Sequence, residues 1–302
     1  MARSRFFVNA GIVLFGHVFN VPWASRMQRR RHRGLVTQRL VSDYLDRYVP
    51  YFQNVPELPE PGSPKEDKIF SIWLQGEDAA PEIVKACWRS IRKHCTQELI
   101  ILDENTIFDW ISFPEYVLEK WRSGKMRPCH FADICRVELL HRHGGLWMDA
   151  TDYVFAPMPQ WLLDQEFFVY MSGENQRGFY SFIQNCFIRA RKGSYLLHAW
   201  REAILTYWKY EDSTIDYFVH QLLFKKVVEN NKEAARCFEE MRKLSQDPTH
   251  AIWFDNADKQ FDQKLLDSLS EAALFQKTEY KSESALSPKP GSFAEVLVNL
   301  NK

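Results

Sequence analysis

The chain has 302 residues, of which 45% are hydrophobic and 15% aromatic. That composition excludes disordered, collagen-like and low-complexity proteins. Its 39 basic and 39 acidic residues balance, which argues against a globally basic nucleic-acid binder, so we predict no nucleic-acid partner. The six cysteines are scattered without C-x-x-C spacing, and they predict free thiols in a reducing cytosol rather than a disulfide framework.

Residues 1–53 are predicted to form a basic, amphipathic, membrane-directed arm. Nine arginines against two aspartates make residues 1–50 strongly positive, and a largely apolar run at 6–24 is followed by an arginine-rich run at 29–33. Apolar side chains beside arginines suit the headgroup boundary of an anionic membrane, which predicts an interfacial helix. A membrane-spanning helix and a helix packed on the domain are the alternatives.

The charges around the apolar run also predict a location. Arginines directly after the run oppose a secretory signal. Under the positive-inside rule, the large C-terminal part stays in the cytoplasm whether the run spans the membrane or lies on it. We therefore predict a cytoplasmic protein that is peripheral on the inner face of the cell membrane.

The rest of the chain divides into three predicted segments. A proline-rich stretch at 54–67 is predicted to be an extended linker, because proline fixes φ and removes backbone donors. Residues 68–283 are predicted to form one α/β domain, and residues 284–302 a C-terminal tail.

The first half of the predicted domain alternates between strands and helices. An apolar run at 69–76 predicts a buried strand, and residues 82–94 have the apolar spacing of a helix. A second apolar run, which ends in Asp103, predicts another buried strand, and a helix is predicted at 107–123. Strand, helix and strand at this pace indicate a parallel α/β sheet.

The next segment carries the residues most informative about chemistry. Residues 131–143 are apolar nearly all round, which predicts a largely buried helix, yet Asp133 and Arg136 share one of its faces. A short strand after the helix delivers Asp149 at its C-terminal end, where the ligands of open parallel sheets bind. Buried charges at such a place need partners.

These residue types suit a nucleotide-sugar donor, whose leaving diphosphate must be neutralised. A divalent metal held by carboxylates can do this, with phosphate oxygens in its other positions. Arg136 could grip a phosphate or the sugar, and Asp133 could accept hydrogen bonds from sugar hydroxyls. A structural Asp133–Arg136 ion pair, with Asp149 as a turn residue, explains the segment equally well from its chemistry alone.

The stretch HFADICRVELLHRHGGLWMDAT at 130–151 resembles the capsular polysaccharide synthesis proteins, a branch of the glycosyltransferases close to family 32. The resemblance extends over roughly residues 69–281 and is most specific at 130–151. It implies a GT-A type nucleotide-sugar-binding fold, in which helices flank a mostly parallel central sheet. It also implies transfer of a sugar, with retention, from a nucleoside-diphosphate sugar (UDP-linked by expectation) to a glycan or lipid-linked oligosaccharide acceptor in surface polysaccharide synthesis.

The resemblance assigns expected roles to individual residues of this sequence. Asp133 and Arg136 match donor-sugar contacts, and Asp149 matches the first aspartate of an Asp-x-Asp motif. The expected catalytic carboxylates are Asp149, Asp133 and Asp216, although a helix-dipole role is the alternative for Asp216. The expected donor-binding residues are Trp73, Gln75, Asp103, His130, Asp133, Arg136, Gly145, Lys277 and Lys281. Packing is the alternative role for the histidine, and simple surface charge for the two lysines.

The resemblance further implies a divalent cofactor, Mn²⁺ or Mg²⁺, held by Asp149, Thr151 and Asp152. Thr151 stands where the second aspartate of the motif is expected, and it could orient a metal-bound water. Asp152 is one residue late, and along a strand one residue moves a side chain to the other face. Asp149 and Asp152 converge only if the chain turns directly after Met148.

Two other classes of function remain open on the sequence alone. One is a sugar-nucleotide hydrolase or nucleotidyltransferase that uses the same donor pocket. The other is a non-catalytic polysaccharide assembly protein with a degenerate Asp-x-Asp motif.

Overall fold

The structure is a computed structural model that describes residues 4–17, 25–56, 68–174 and 179–302. Residues 57–67 of the predicted linker and residues 18–24 of the apolar run lie outside these ranges.

The strands of the described residues are β1 (Lys68–Ile72), β2 (Glu98–Leu102), β3 (Gly145–Met148), β4 (Asp152–Tyr153), β5 (Phe167–Met171), β6 (Ile183–Ala190) and β7 (Gln276–Lys277). The α-helices are α1 (Arg5–His17), α2 (Arg26–Leu45), α3 (Val49–Phe52), α4 (Glu82–His94), α5 (Ile107–Trp110), α6 (Glu115–Arg122), α7 (Pro128–His143), α8 (Gln160–Leu163), α9 (Tyr195–Tyr210), α10 (Val219–Asn230), α11 (Lys232–Glu240), α12 (Ala251–Asn256), α13 (Gln263–Glu271), α14 (Glu283–Leu286) and α15 (Phe293–Asn299). Short 3₁₀ helices occur at Asp46–Tyr48, Glu77–Ala79, Phe179–Ser181 and Asp247–His250.

In the described part of the chain, the central sheet has five strands in the order β2-β1-β3-β6-β5. Strand β1 pairs in parallel with β2 and β3, and β6 pairs antiparallel with β3 and β5. Four of these five described strands therefore run in one direction. The predicted α/β fold, with a mostly parallel sheet flanked by helices, is confirmed.

A second, two-stranded sheet joins two distant parts of the chain. Strands β4 and β7 pair antiparallel, with Asp152 opposite Lys277 and Tyr153 opposite Gln276. Because β4 begins four residues after β3 ends, this pairing places β7 beside the C-terminal end of β3.

The helices of the first half follow the predicted periodicity with one exception. The helix predicted over 82–94 is confirmed as α4. The single helix predicted over 107–123 is wrong, because α5 ends at Trp110 and α6 begins at Glu115. Pro114 lies directly before α6, and proline lacks a backbone N–H and disfavours helical backbone at the preceding residue.

Helix α2, in the predicted arm, packs on the body of the protein. Its buried residues are Gly34, Thr37, Val41, Tyr44 and Leu45. The hydroxyls of Tyr44 and Tyr48 both donate to the carboxylate of Glu211, which directly follows α9. Arg5 of α1 lies 3.2 Å from the same carboxylate. Of the three interpretations of the arm, which were an interfacial helix, a membrane-spanning helix and a helix packed on the domain, α2 fits the last.

The predicted C-terminal tail contains α14 and α15. Phe293, Ala294 and Leu297 of α15 are fully buried, and Arg89 of α4 donates to the Val298 carbonyl at 2.8 Å. Packing of these apolar residues makes 293–299 part of the core rather than a free tail, because a helix with one buried apolar face belongs to the domain that covers it.

Gly145 provides a test of the packing between β1 and β3. Its φ is +103°, and a Cβ there would lie 2.5 Å from the Lys68 carbonyl oxygen. The strain of a non-glycine residue at this φ and the overlap of its Cβ with the carbonyl oxygen add. Gly145→Ala should therefore lower the free energy of unfolding by about 2–5 kcal/mol. The matched control is Gly124→Ala, with φ at +72° and open space around the new Cβ, which should cost about 1–2 kcal/mol. Urea unfolding measures both, and equal costs would contradict the proposed overlap.

Candidate functional site

The chain turns directly after β3, which brings Asp149 and Asp152 together. The Asp152 N–H donates to the Asp149 carbonyl at 2.9 Å, and the Asp149 N–H donates to Asp152 Oδ2 at 3.1 Å. Thr151 points its backbone carbonyl at Thr278, whose N–H and hydroxyl both donate to it, at 2.8 and 3.0 Å. The turn that convergence of the two carboxylates requires is therefore present.

Lys277 lies between these two carboxylates. Its Nζ donates to Asp149 Oδ2 at 2.7 Å and to Asp152 Oδ1 at 3.0 Å. Asp152 is fully buried, and burial raises its carboxyl pKa to about 7 against the opposing effect of the ammonium. Burial lowers the pKa of Lys277, but the two carboxylates outweigh it and hold the pKa above its usual range. The lysine is therefore charged.

Arg136 connects Asp149 to the buried helix α7. Its Nη2 lies 3.1 Å from Asp133 Oδ1 and 3.4 Å from Asp149 Oδ1, and its Nη1 donates to the Asn185 carbonyl at 2.5 Å. Trp147 Nε1 also donates to Asp149 Oδ1, at 2.8 Å. Burial would raise the pKa of Asp149, but Lys277 and Arg136 together hold it below its usual range. The predicted Asp133–Arg136 pair is thus real, and it continues into Asp149.

Asp133 is the other end of this network and is contacted on both oxygens. Oδ1 accepts from Asn185 Nδ2 at 2.8 Å, in addition to Arg136. Oδ2 lies 3.3 Å from His130 Nδ1 and 3.2 Å from His220 Nδ1. Although burial raises the pKa of Asp133, these partners hold it far below its usual range.

His130, Asp133 and His220 form a group that could hold a metal ion by spacing, because their ligand atoms lie within 4.8 Å of one another. The hydrogen bonds of His220 favour another role. Trp208 Nε1 donates to His220 Nε2 at 2.8 Å, and the indole is a donor only, so Nε2 must accept. In the neutral ring the proton is then on Nδ1, facing Asp133. A metal at Nδ1 would require the opposite tautomer and would break the bond from Trp208.

A short segment before α10 contains the predicted catalytic residue Asp216 and contacts His130. Thr214 Oγ1 is 3.5 Å from His130 Nε2, and the Tyr217 ring is 5.7 Å from the His130 ring. Asp216 itself accepts from the Phe218 N–H at 2.8 Å, just before α10. Burial raises the pKa of Asp216. The Tyr180 hydroxyl also donates to Asp216 Oδ2, at 3.2 Å, and among the described residues no side chain caps α10, so the catalytic and helix-dipole roles of Asp216 both stay predictions.

The remaining predicted donor residues follow the neighbouring strands. Trp73 and Gln75 lie directly after β1, and Asp103 after β2, where its Oδ1 accepts from the Asn105 N–H at 2.8 Å. The Trp73 ring is 4.9 Å from the Tyr280 ring, and its buried Nε1 has no hydrogen-bond partner among the described residues. A buried donor without a partner invites an acceptor from a ligand.

The segment that follows β7 connects the carboxylates after β3 with Trp73 after β1. Lys277 contacts Asp149, and three residues later Tyr280 contacts Trp73. Lys281 lies with its Nζ 5.1 Å from the Tyr280 ring. The segment therefore runs along one edge of the sheet, past the C-terminal ends of β3 and β1.

Gly145 lies apart from the other predicted donor residues. It begins β3, whereas Asp149 follows the end of that strand. Its packing against the Lys68 carbonyl explains why glycine is needed there. We therefore leave Gly145 out of the proposed site.

Three residues of the network were not predicted. Asn185, His220 and Trp147 all touch Asp133 or Asp149. The available signal for Asn185 was a polar pair, Gln184 and Asn185, in a strand that is otherwise mostly apolar. No signal identified the other two, because a histidine on an amphipathic helix and a tryptophan in a buried strand are ordinary core residues.

Comparisons with known proteins add two similarities. A family model described as "Capsular polysaccharide synthesis protein" matches residues 22–295. Among solved structures, the chain is similar to one named "PaToxG Glycosyltransferase", with 12% identity and a TM-score of 0.40, over 89% of this chain and 97% of that chain. So low a TM-score supports no conclusion about activity. No curated protein is significantly similar to the chain.

The Asp133–His130 contact predicts a dependence of stability on pH. Burial disfavours the charged His130 ring, but Asp133 and, to a lesser extent, Cys129 outweigh burial and raise the His130 pKa from 6.5 to about 9. A raised histidine pKa stabilises the fold fully below pH 6.5, and this stabilisation is lost as the pH rises through about 9. The free energy of unfolding should therefore fall over this interval in the wild type, and His130→Gln should flatten the fall.

Urea unfolding at a series of pH values measures this effect. His250→Gln is the matched control, because burial lowers the His250 pKa to about 4 and the ring stays neutral over the interval. An unchanged pH profile in His130→Gln would contradict a charged His130.

Proposed function

Because the chain belongs to the capsular polysaccharide synthesis protein family, we propose that it is a glycosyltransferase that uses a nucleoside-diphosphate sugar. The observation that carries the proposal is the position of Asp149. It follows β3 at the C-terminal edge of a mostly parallel sheet, is held by two cations, Arg136 and Lys277, and has a side chain 26% exposed. A fixed carboxylate with cations on both sides suits a sugar with a diphosphate leaving group.

The donor is proposed to lie along this edge of the sheet. The nucleoside would meet Trp73 and Asp103, which follow the ends of β1 and β2. The diphosphate would meet Lys277, and the sugar would meet Asp149. Charge that develops on the leaving diphosphate is stabilised by a preorganised cation, which accelerates the transfer step.

Arg136, Asp133 and His130 are proposed to act through Asp149 rather than on the donor directly. Arg136 is nearly buried and holds Asp149 Oδ1 at 3.4 Å. Asp133 in turn fixes the guanidinium plane, and His130 and His220 fix Asp133. Such a chain of hydrogen bonds orients a carboxylate before substrate arrives, which reduces the reorganisation needed in the transition state.

We propose a UDP-linked donor, a glycan or lipid-linked oligosaccharide acceptor and retention of configuration, as the family resemblance implies. The place of the reaction would be capsular or another surface polysaccharide synthesis. The rival activities differ in product. A sugar-nucleotide hydrolase would release free sugar when no acceptor is present, and an assembly protein would bind no sugar nucleotide.

The divalent metal expected at Asp149, Thr151 and Asp152 does not fit this arrangement. A Mg²⁺ ion needs oxygen ligands at about 2.0–2.1 Å, and the ammonium of Lys277 lies between the two carboxylates at hydrogen-bonding distance from both. The Thr151 carbonyl is engaged by Thr278. We therefore assign the role of the local cation to Lys277.

The membrane-directed arm is proposed to act through α1. No helix of the described residues is long and apolar enough to cross a membrane. The side chains of Phe6, Phe7, Val13 and Leu14 are more than 60% exposed, and their spacing of one, seven and eight residues puts them on one helix face. On the opposite face, Val8 is fully buried.

The basic residues at the start of α2 lie beside the C-terminal half of α1. A Cβ on Gly16 would lie 3.2 Å from the Arg33 side chain, and one on Gly11 would lie 2.9 Å from Leu40, so the two helices run antiparallel. Arg26, Arg30 and Arg31 are exposed there. An apolar face flanked by arginines suits an anionic lipid surface.

The first test of the proposed function concerns Asp149. Asp149→Asn removes one charge while keeping the side-chain shape, so transfer of sugar should fall by at least about 100-fold. The exposed residue Asp267 offers the control Asp267→Asn, which should leave transfer unchanged. The donor is first identified by thermal shift with a panel of sugar nucleotides, because a ligand present at about 100 Kd stabilises by about 2.7 kcal/mol. Full transfer by Asp149→Asn would contradict the site, and sugar release without acceptor would indicate hydrolysis.

The second test concerns the membrane. Wild-type protein should sediment with vesicles that contain phosphatidylserine, and less of it should do so in high salt, because the arginine contribution is screened. The variant Phe6→Ser/Phe7→Ser/Leu14→Ser should stay in the supernatant. A matched control is Phe254→Ser/Leu286→Ser, which removes exposed apolar side chains elsewhere. Equal sedimentation of the two variants would reject α1 as the membrane-binding surface.

A further inference from the structure

We propose that the ammonium of Lys277 takes the place of a divalent metal in this site, so that the protein binds the diphosphate of its donor without metal. The proposal rests on the proposed function for the identity of the ligand. Its core, which is that Lys277 and not a metal bridges Asp149 and Asp152, is independent of the donor.

The backbone fixes Lys277 at this position. Strand β7 pairs with β4 so that Lys277 is directly opposite Asp152. The next residue, Thr278, makes two hydrogen bonds to the Thr151 carbonyl, at 2.8 and 3.0 Å. The backbone of Lys277 is therefore held on both sides, which fixes the point from which its side chain reaches the two carboxylates.

The ammonium uses the same oxygens that a metal would use. Lys277 Nζ is 2.7 Å from Asp149 Oδ2 and 3.0 Å from Asp152 Oδ1. A metal bound to both oxygens would have to expel the ammonium from between them, because two cations cannot share so short a distance. Among the described residues, Asp149 and Asp152 are the only hydrogen-bond partners of Lys277 Nζ. The expelled charge would therefore have no partner in a side chain that is only 16% exposed.

The ammonium also retains the capacity to bind phosphate. It has three N–H donors, and the two carboxylates use two of them. The third can donate to a phosphate oxygen. Asp149 is the more exposed of the two carboxylates, at 26% against 0% for Asp152. The donor is proposed to bind on the more exposed side of the pair, next to Asp149, and to accept from this third N–H.

Removal of the lysine should convert the site into a metal site. In Lys277→Ala, Asp149 and Asp152 still converge through their own backbone turn, and two carboxylates with room for water suit Mn²⁺ or Mg²⁺. The variant should gain a metal dependence that the wild type lacks. A purely structural role for Lys277 predicts loss of stability with no such gain.

The decisive experiment is a titration with Mn²⁺ alone, in which electron paramagnetic resonance measures the concentration of the free ion. Wild-type protein should bind no Mn²⁺ at this pair, Lys277→Ala should bind one ion, and Asp149→Asn/Lys277→Ala should lose it. One ion bound by the wild type and lost in Asp149→Asn would overturn the proposal. Lys289→Ala is the matched control, because that exposed lysine pairs with Asp258 and touches neither carboxylate, and it should behave as wild type.

A second measurement follows UDP and GDP binding by calorimetry in excess EDTA and with Mn²⁺. The wild-type affinity should be the same in both, whereas Lys277→Ala should bind at least tenfold more weakly in EDTA and recover with Mn²⁺. Loss of wild-type binding in EDTA would overturn the proposal. If neither nucleotide binds under any condition, the proposed function fails, and the Mn²⁺ titration still decides the role of Lys277.

Folding of the variants is controlled separately. Lys277→Ala leaves two carboxylates without their cation, so its fold is checked by circular dichroism. Lys277→Arg keeps a positive charge and should keep metal-free nucleotide binding. If Lys277→Ala does not fold, the wild-type titration and Lys277→Arg decide the proposal, since one Mn²⁺ held by the wild type through Asp149 contradicts it.

Discussion

The Lys277 ammonium, held between two carboxylates at the end of β3, is the interaction on which the candidate site depends. Asp149 and Asp152 are forced together by a tight turn, and two carboxylates at that distance repel unless a cation separates them. Losing one partner of a buried ion pair costs about 3–5 kcal/mol. The turn, the β4–β7 pairing and the position of the lysine are therefore parts of a single arrangement.

Behind this arrangement, a second set of charges is built on α7. Arg136 reaches from Asp133 to Asp149, and the two histidines hold Asp133 from the other side. Every member is nearly buried except Asp149. The network therefore ends at one accessible carboxylate, which is what the proposed donor site requires.

The parts of the site that are close in sequence were predictable, and the parts that tertiary structure brings together were not. Asp133 and Arg136 lie three residues apart on a helix, and Asp149 follows a recognisable short strand, so local periodicity located all three. Lys277 was expected only through the resemblance. Its place beside Asp152 depends on a two-residue strand pair that no periodicity indicates. Asn185 and His220 lie in elements that contain other polar residues, so nothing in the pattern distinguishes them.

The same distinction explains the errors of boundary in the fold. Pro114 interrupts a stretch whose apolar spacing otherwise continues, and the composition of 284–302 conceals the apolar face of α15. The sequence pattern identified helices and strands well where their apolar residues formed a long, regular pattern. It failed where a single proline or a short buried face decided the outcome.

The β4–β7 pairing also has a consequence for the order in which the protein assembles. Lys277 and Asp152 are separated by 125 positions, and contacts between such distant parts of a chain form slowly, because a long loop must close first. During synthesis Asp149 and Asp152 leave the ribosome long before their cation. Until residues near 277 arrive, Arg136 can pair with Asp149, but Asp152 lacks the ammonium that it contacts in the finished fold, so that edge of the sheet stays open. Pairing of β7 with β4 then closes this edge of the fold and, in the same step, brings the Lys277 ammonium to the two carboxylates.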